Sequence, residues 1–439
     1  MSHLSDVIKL NKLPERVILP LKQHDGIACA PLVKKGDEVH LGQKLGDCKG
    51  SELAYIHSPY CGNVVAVEAR PAPGGKSVLS VVLEPVECTE APEFVPEKEA
   101  PPSRLMEIIE AAGIVEYYEK PTYKILKPGP LIDTLILNAT FPLITRAYLP
   151  FLDKVLEGFQ LMLEAGGISK GVIVLRADDK ESIQAFKKAS LNGKPLPVAP
   201  IIGKRHADYY FEDTDSDLIA LVAGKKTYTP TMMNLLSADV MGRSLPLGYK
   251  PEDVHLSICG VKSAKAVYDA IKEGKPYLEN AVTITGAVNN PKSLFVRFGT
   301  PVKDVIEACG GYRGEPGKLI INGSMGGVAV YTDEVPIVKN TTGIVVQAKE
   351  EVLRDEAMPC IHCARCVDAC PVNLLPGRIA VMADCGMYEK CGEYYALSCI
   401  ECGECAAVCP AKRHLVQLIR YSKLQLQKMN EAKNAEVIE

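Results

Sequence analysis

The sequence predicts a multidomain chain: a small all-β module, an α/β domain with a parallel sheet, a second β-rich module carrying a helix, and a helical C-terminal module. Three observations carry this. Residues 17–87 break into short apolar runs separated by Gly, Asp and Pro turns, buried-strand and amphipathic-helix patterns alternate between 131 and 251, and two copies of C-x2-C-x2-C-x3-C-P lie near the end. A chain of 439 residues is too long for one ordinary core. Its 47% hydrophobic and 24% charged residues are those of a soluble globular protein. A formal net charge of −4 without a basic block gives no reason to expect nucleic acid as a partner. The N-terminus lacks the apolar stretch of a secretory signal, and no run approaches the length of a membrane-spanning helix. The expected location is cytoplasmic, with peripheral docking on the inner face of the cytoplasmic membrane left open.

The first module is set at residues 1–88. VILPL, PLVKKGDEVHLGQKLGD and YIHSPYCGNVVAVEA read as short strands with polar turns. The phrase Val33-Lys34-Lys35-Gly36-Asp37-Glu38-Val39, followed by Gly42-Gln43-Lys44-Leu45-Gly46, is a hallmark of the barrel-sandwich (lipoyl-like) hammerhead. Gly36-Asp37 makes its tight turn, and His57-Ser58-Pro59 leads into Gly62-Asn63-Val64-Val65. No lysine stands in the short acidic turn where lipoyl and biotinyl domains carry a modified arm, so a docking or scaffold role is expected. Residues 89–102, rich in Pro and Glu, read as an extended linker.

The second module is set at 103–255. Ser103 is placed as the cap of a helix reading RLMEIIEAAG that stops at Gly113. LIDTLILNA, GVIVLRA and LIALVAG read as buried strands, with helices YLPFLDKVLEGFQLMLEAG and DKESIQAFKKAS between them, which predicts a Rossmann-like parallel sheet. No G-x-G-x-x-G follows any of these strands, and Gly166-Gly167 ends a helix as a C-cap.

The third module, 256–348, offers the helix KSAKAVYDAIKEG, strands AVTITGAV and SLFVRFG, a helix PVKDVIEACGG capped by Thr300, and the strand KLIINGS, an order that suggests a β-grasp. The loop Asn322-Gly-Ser-Met-Gly-Gly327 reads first as a turn, and Cys309 as a buried thiol at a helix end.

The last module, 349–425, carries the chemistry, before a polar tail at 426–439. Cys360-Ile-His-Cys-Ala-Arg-Cys-Val-Asp-Ala-Cys-Pro371 is repeated as Cys399-Ile-Glu-Cys-Gly-Glu-Cys-Ala-Ala-Val-Cys-Pro410. Three thiolates at two-residue spacing wrap one cube, and the fourth, three residues on and followed by proline, points to a neighbouring cube. One [4Fe-4S] cluster is therefore expected on Cys360, Cys363, Cys366 and Cys409, and the second on Cys399, Cys402, Cys405 and Cys370. Zinc is the alternative for C-x2-C pairs, and eight cysteines in two full copies closed by C-P argue against it. The helical patterns LLPGRIAVMADCG and EKCGEYYALSC between the copies predict an all-helical two-cluster ferredoxin. Cys385 and Cys391, without partners at ligand spacing, are read as packing residues, and Cys48 and Cys61 as buried structural rather than redox thiols.

Taken together, the chain resembles the RnfC family over nearly its whole length. PduS, a cobalamin-reductase subunit, and the flavin-binding subunit of respiratory complex I are similar in part. The resemblance is carried by Leu19-Pro20-Leu21-Lys22-Gln23-His24, Val33–Gly46, His57-Ser58, Val282-Thr283-Ile284-Thr285-Gly286, Arg297-Phe298-Gly299-Thr300-Pro301, Glu307-Ala308-Cys309-Gly310-Gly311 and the cysteine motifs. It implies that the third module is SLBB-like, and that the second is like the flavoprotein domain of complex I, with FMN and NADH as cofactors. The departures lie in that second module. Where the family has a glycine-rich loop that cradles flavin phosphate and nicotinamide, this chain reads Glu116-Tyr117-Tyr118-Glu119-Lys120-Pro121. Asn138-Ala139-Thr140-Phe141-Pro142 replaces an acidic segment, and Lys226-Thr227-Tyr228-Thr229-Pro230-Thr231 a glycine-containing one. Carboxylates repel a phosphate, so FMN and NADH are held doubtful.

The expected function is relay of electrons through two [4Fe-4S] clusters between a redox donor and an anaerobic reductase or Rnf-type complex. RnfC-like carriers accompany amino-acid reductases such as proline reductase, so reductase or Rnf-type subunits and ferredoxin are the expected partners. The alternative is a flavin-dependent, NADH-oxidising subunit of an ion-translocating NADH:ferredoxin oxidoreductase.

Overall fold

The computed structural model describes residues 8–10, 12–24, 27–47, 54–75, 77–87, 95–97, 99–116, 119–127, 131–191, 193–200, 217–223, 232–243, 250–352 and 357–436. The chain divides into two compact units. One holds most of residues 1–351, and the other the C-terminal residues from 352 onward together with a short segment at 324–326.

The first unit contains the three modules read from the sequence, which share one continuous apolar core: Leu19 and Leu83, Leu135 and Phe159, and Val282 and Val346 all belong to it. In the barrel-sandwich part, one sheet runs Val17–Pro20, Ser77–Val86, Cys61–Pro71, Glu38–Val39, and the other Ala30–Pro31, Lys44–Asp47, Ile56–His57. Gly36 takes a left-handed φ of 94°, and the Asp37 carboxylate accepts the Lys34 N–H at 2.9 Å to close the expected turn.

The α/β part is a five-stranded parallel sheet in the order Val198–Pro200, Leu218–Ala223, Lys170–Arg176, Thr134–Ala139, Leu256–Gly260. Its first helix runs Pro102–Ala111 with Pro101 at the cap position, not Ser103, because proline suits the first helical turn, where its missing N–H has no partner to lose. The long helix of the sequence pattern is interrupted: Pro142–Tyr148 passes through a tighter turn at Leu149–Phe151 into Leu152–Gly166, and Gly167 ends it at φ 61°. Helices Leu152–Gly166 and Val261–Lys272 pack backbone to backbone at Gly158, where an added Cβ would stand 1.9 Å from the Ala264 carbonyl oxygen. Gly158→Ala is therefore expected to cost about 1–3 kcal/mol or more, because two helices must part. Urea unfolding followed by circular dichroism checks it.

The β-grasp part is a six-stranded sheet ordered Ile8–Lys9, Lys292–Arg297, Glu279–Gly286, Gly343–Ala348, Pro316–Ile321, Val328–Val330. Its first strand comes from the N-terminus, paired in parallel with Lys292–Arg297, so residues assigned by sequence to the first module complete the third. Its helix, Val302–Ala308, again starts after a proline, Pro301, while the Thr300 hydroxyl lies 3.3 Å from the Tyr60 hydroxyl instead of capping. Cys309 is fully buried, and Asn322–Gly327 forms a turn, with Asn322 at φ 64°.

The second unit is helical among its described residues. Leu415–Glu436 packs on Pro376–Asp384 and Tyr388–Glu393 over a small core of Leu374, Ile379, Cys391, Ile419 and Leu426. Cys391 packs as expected; Cys385 is exposed and does not, since it sits one residue past the end of the Pro376–Asp384 helix.

Candidate functional site

The two cysteine motifs fold as copies of one loop. Left-handed backbone recurs at His362, Ala364 and Asn373 and, at the matching positions of the second copy, at Glu401, Gly403 and Lys412. Left-handed conformations cost a non-glycine residue about 1–2 kcal/mol. Five of these six positions are not glycine, so the turns are held by what they arrange, which is the inward aim of the thiols. Each loop then enters a single helical turn, Arg365–Asp368 or Glu404–Ala407.

The thiols group across the copies. Cys360, Cys363 and Cys366 line one cavity of about 520 Å³ with Cys409 of the second motif. Cys399, Cys402 and Cys405 line a narrower one with Cys370 of the first. Each cavity thus takes three thiols from one motif and one from the other. Among the described residues no three His, Cys, Asp or Glu side chains close on a point that would hold one ion; the thiols stand around cavity walls, as the corners of a cube require. Backbone amides point at the sulfurs: Leu374 N–H donates to Cys370 Sγ at 3.3 Å and Glu401 N–H to Cys399 Sγ at 3.4 Å, while Gly377 N–H serves Cys366. Such donors stabilise thiolate charge. Burial raises the thiols of Cys366, Cys399 and Cys402, and pushes Cys405 up to about 12. Iron binding there displaces protons. These donors and cavities fit iron–sulfur clusters.

Beside the second group, Lys423 Nζ donates to the Cys399 carbonyl at 2.9 Å and to Glu401 at 2.7 Å, and Arg420 reaches the same carboxylate at 2.7 Å. Burial works to raise the Glu401 pKa, and hydrogen bonds from Lys423 and Arg420 outweigh it, leaving the group below its ordinary value.

A second constellation lies in the α/β part. The strands Thr134–Ala139 and Leu256–Gly260 are neighbours at the side of the sheet where the strand order turns back, and open parallel sheets bind ligands in the crevice beyond the carboxyl ends at such a place. At the end of Leu256–Gly260 stands the carboxylate of Glu116. It is fully buried and accepts the Gly260 N–H at 3.1 Å, the Ser263 hydroxyl at 2.7 Å and the Thr122 hydroxyl at 2.9 Å. Gly260 and Ser263 open the Val261–Lys272 helix, so this carboxylate occupies the positive end of a helix dipole, where a ligand's anion would bind. The sequence reading placed Glu116 as a group that repels a phosphate; in the structure its carboxylate is itself the acceptor at this helix start. At this position the residues present do not fit a ligand phosphate. Tyr117, Tyr118 and Lys226–Thr231, the other residues of that reading, lie outside the described residues.

Two buried lysines complete the constellation. Lys262 Nζ donates to the Lys339 carbonyl at 2.8 Å, and Lys339 Nζ to the carbonyls of Tyr55 at 2.5 Å and Gly113 at 2.6 Å. The Lys339 N–H also reaches the Gln23 side chain at 3.1 Å, so one residue joins all three modules of the first unit. Sequence reasoning missed both lysines, because nothing local marks a lysine as buried. Burial, and then Lys262, lower the Lys339 pKa to about 7. An unfolded lysine keeps its proton to about 10.4, so between those limits the unfolded state binds more protons and stability rises with pH. Lys339→Met is expected to flatten that rise in urea titrations between pH 7 and pH 9.

Cys29 and Cys61 each stand in a disulfide, so Cys61 is structural and not a free thiol; Cys48 lies outside the described residues.

Comparison with known proteins agrees with this layout. Residues 2–87 match the RnfC barrel sandwich hybrid domain, 109–269 the Nuo51 FMN-binding domain, 281–329 the SLBB domain, and 357–373 with 396–412 a 4Fe-4S binding domain. The FMN-binding domain match corrects the doubt about flavin: one substituted loop does not remove a domain that is present across 109–269. The RnfC-type component of the ion-translocating oxidoreductase complex of Methanosarcina acetivorans is 75% identical over 97% of this chain and 95% of its own length. Its counterpart in the Na(+)-translocating ferredoxin:NAD(+) oxidoreductase complex of Acetobacterium woodii is 34% identical over 94% of this chain and 92% of its own. The counterpart in the proton-translocating complex of Clostridium ljungdahlii is 34% identical over 95% and 89%. With that likeness over almost the full length, and with a 4Fe-4S binding domain match over both cysteine motifs, the chain is an iron–sulfur electron-transfer protein that belongs to the RnfC family.

Proposed function

We propose that this protein relays single electrons within an ion-translocating oxidoreductase complex, with Cys360, Cys363, Cys366 and Cys409 holding one [4Fe-4S] cluster and Cys399, Cys402, Cys405 and Cys370 the other. The crossed grouping of the eight thiols carries this reading. When bound, such clusters supply one-electron chemistry at potentials set by hydrogen bonds, charge and exposure. The chain's own part is to aim the thiolates, to offset their charge with the amides of Leu374, Gly377 and Glu401, and to fix Lys423 beside Cys399. Among the described residues no helix is long and apolar enough to cross a membrane; association with a membrane would run through partner subunits.

A second reading, flavin-dependent oxidation of NADH feeding the same clusters, is favoured by the FMN-binding domain match. An anaerobic titration of cluster-reconstituted protein separates the two. Under the relay reading, dithionite bleaches the broad visible absorption and NADH does not. Bleaching by NADH together with released flavin establishes the second reading. Failure of dithionite to bleach it overturns both.

A further inference from the structure

We propose that the surface around Cys363 is the docking site of an acidic one-electron carrier protein, one whose own redox centre is ringed by carboxylates; this rests on the cysteine groups being cluster ligands. Of the eight motif thiols, Cys363 is the exposed one, while Cys405 is buried and the rest are half-buried. Electron transfer between proteins requires close approach, so the first group is the port. The surface beside it is apolar: Met358 is 63% and Ile361 64% exposed, with Leu375 and Val381 also open. Exposed apolar groups gathered on one face mark an interaction site.

Charge selects the partner. The walls of the first cavity carry His362, Arg378 and Arg413 and no carboxylate; those of the second carry Glu401 and no cation. Arg365 adds a further exposed cation between Cys363 and Cys366. Among the described residues two acids lie nearby: Asp384, committed to an ion pair with Arg413, and Asp368, at the far end of the Arg365–Asp368 turn. Arg378 lies over the Tyr394 ring at 5.4 Å, which keeps its charge. A chain of net charge −4 thus presents a cationic, apolar face at the exposed thiol of its cysteine motifs. Such a face attracts an acidic carrier and repels a basic one. Each encounter moves one electron between a cluster and the carrier's centre, with no other reactant.

The test uses full-length, cluster-loaded protein, reduced with dithionite and freed of excess reductant. It is mixed in a stopped-flow instrument with ferric cytochrome c, a basic carrier, or with the same cytochrome succinylated on its lysines, which presents the same haem behind an acidic surface. The succinylated form is expected to be reduced about tenfold faster at low salt, the two rates converging as salt screens the surface. Arg365→Glu, at an exposed position outside the cavity wall, is expected to weaken that preference severalfold, with iron content and bleaching by dithionite unchanged. Native cytochrome reacting as fast as the succinylated form, or a preference that salt does not screen, overturns the docking proposal even if the variant does not fold. Absence of iron or of dithionite bleaching overturns the cluster reading instead, and the docking proposal with it.

Discussion

A Cys370→Ala/Cys405→Ala protein is expected to keep one intact cluster, about four irons per chain, whereas Cys363→Ala/Cys370→Ala is expected to keep none. The two double variants remove the same number of thiols, so only their grouping separates them. Cys370 lies in the first motif by sequence but lines the cavity of Cys399, Cys402 and Cys405. Pairing it with Cys405 damages that cavity twice and leaves Cys360, Cys363, Cys366 and Cys409 whole. Pairing it with Cys363 damages both. If each motif held its own cluster, the outcomes would reverse. Iron and acid-labile sulfide counts on anaerobically reconstituted protein, with electron paramagnetic resonance of the dithionite-reduced state, decide the matter. Of the three replaced side chains only Cys370 packs against the core of Leu374, Ile379 and Ile419, and it is replaced in both variants, so any loss of packing there is the same in the two and does not separate their iron counts.

Glu116→Ala is expected to be the most destabilising single change in the first unit, at about 3–5 kcal/mol. The carboxylate is the acceptor for the Gly260 amide and for the Ser263 and Thr122 hydroxyls, and its charge opposes the desolvation of Lys262. Removing it strands three buried donors and takes away the negative charge that favours the protonated Lys262. Burial holds the Glu116 pKa above its ordinary value against the opposing pull of its three hydrogen bonds and Lys262, contacts that alanine deletes. Glu116→Gln keeps an oxygen acceptor and should cost about 1–2 kcal/mol. Added phosphate provides an internal check. It should restore part of the stability of Glu116→Ala by occupying the vacated helix N-terminus, and leave the native protein unchanged. Urea unfolding with and without phosphate measures both effects. Equal loss in the alanine and glutamine variants would mean that volume, not the anion, matters at this position.

Features whose physics is local were legible in the amino-acid order alone. Thiols at two- and three-residue spacing act within one loop, so both motifs could be read there. The Gly36-Asp37 turn and the Gly167 helix end depend on neighbours a few residues away, and they stand where the pattern put them. Helix starts were misplaced by one or two residues at Ser103 and Thr300, where a proline at 101 or 301 took the cap position without any side-chain bond. The flavin argument failed for a related reason, since it weighed one loop against a domain whose match runs over 109–269. The remainder was settled by tertiary structure. It joined Ile8–Lys9 to a sheet strand nearly three hundred residues away, and it merged three modules over one core. It also set Glu116 against Gly260, and Lys339 between Gln23, Tyr55 and Gly113. A buried charge is tolerated only where distant parts of the chain supply its partners. No spacing rule within the sequence encodes those partners, because they become neighbours only when the core closes.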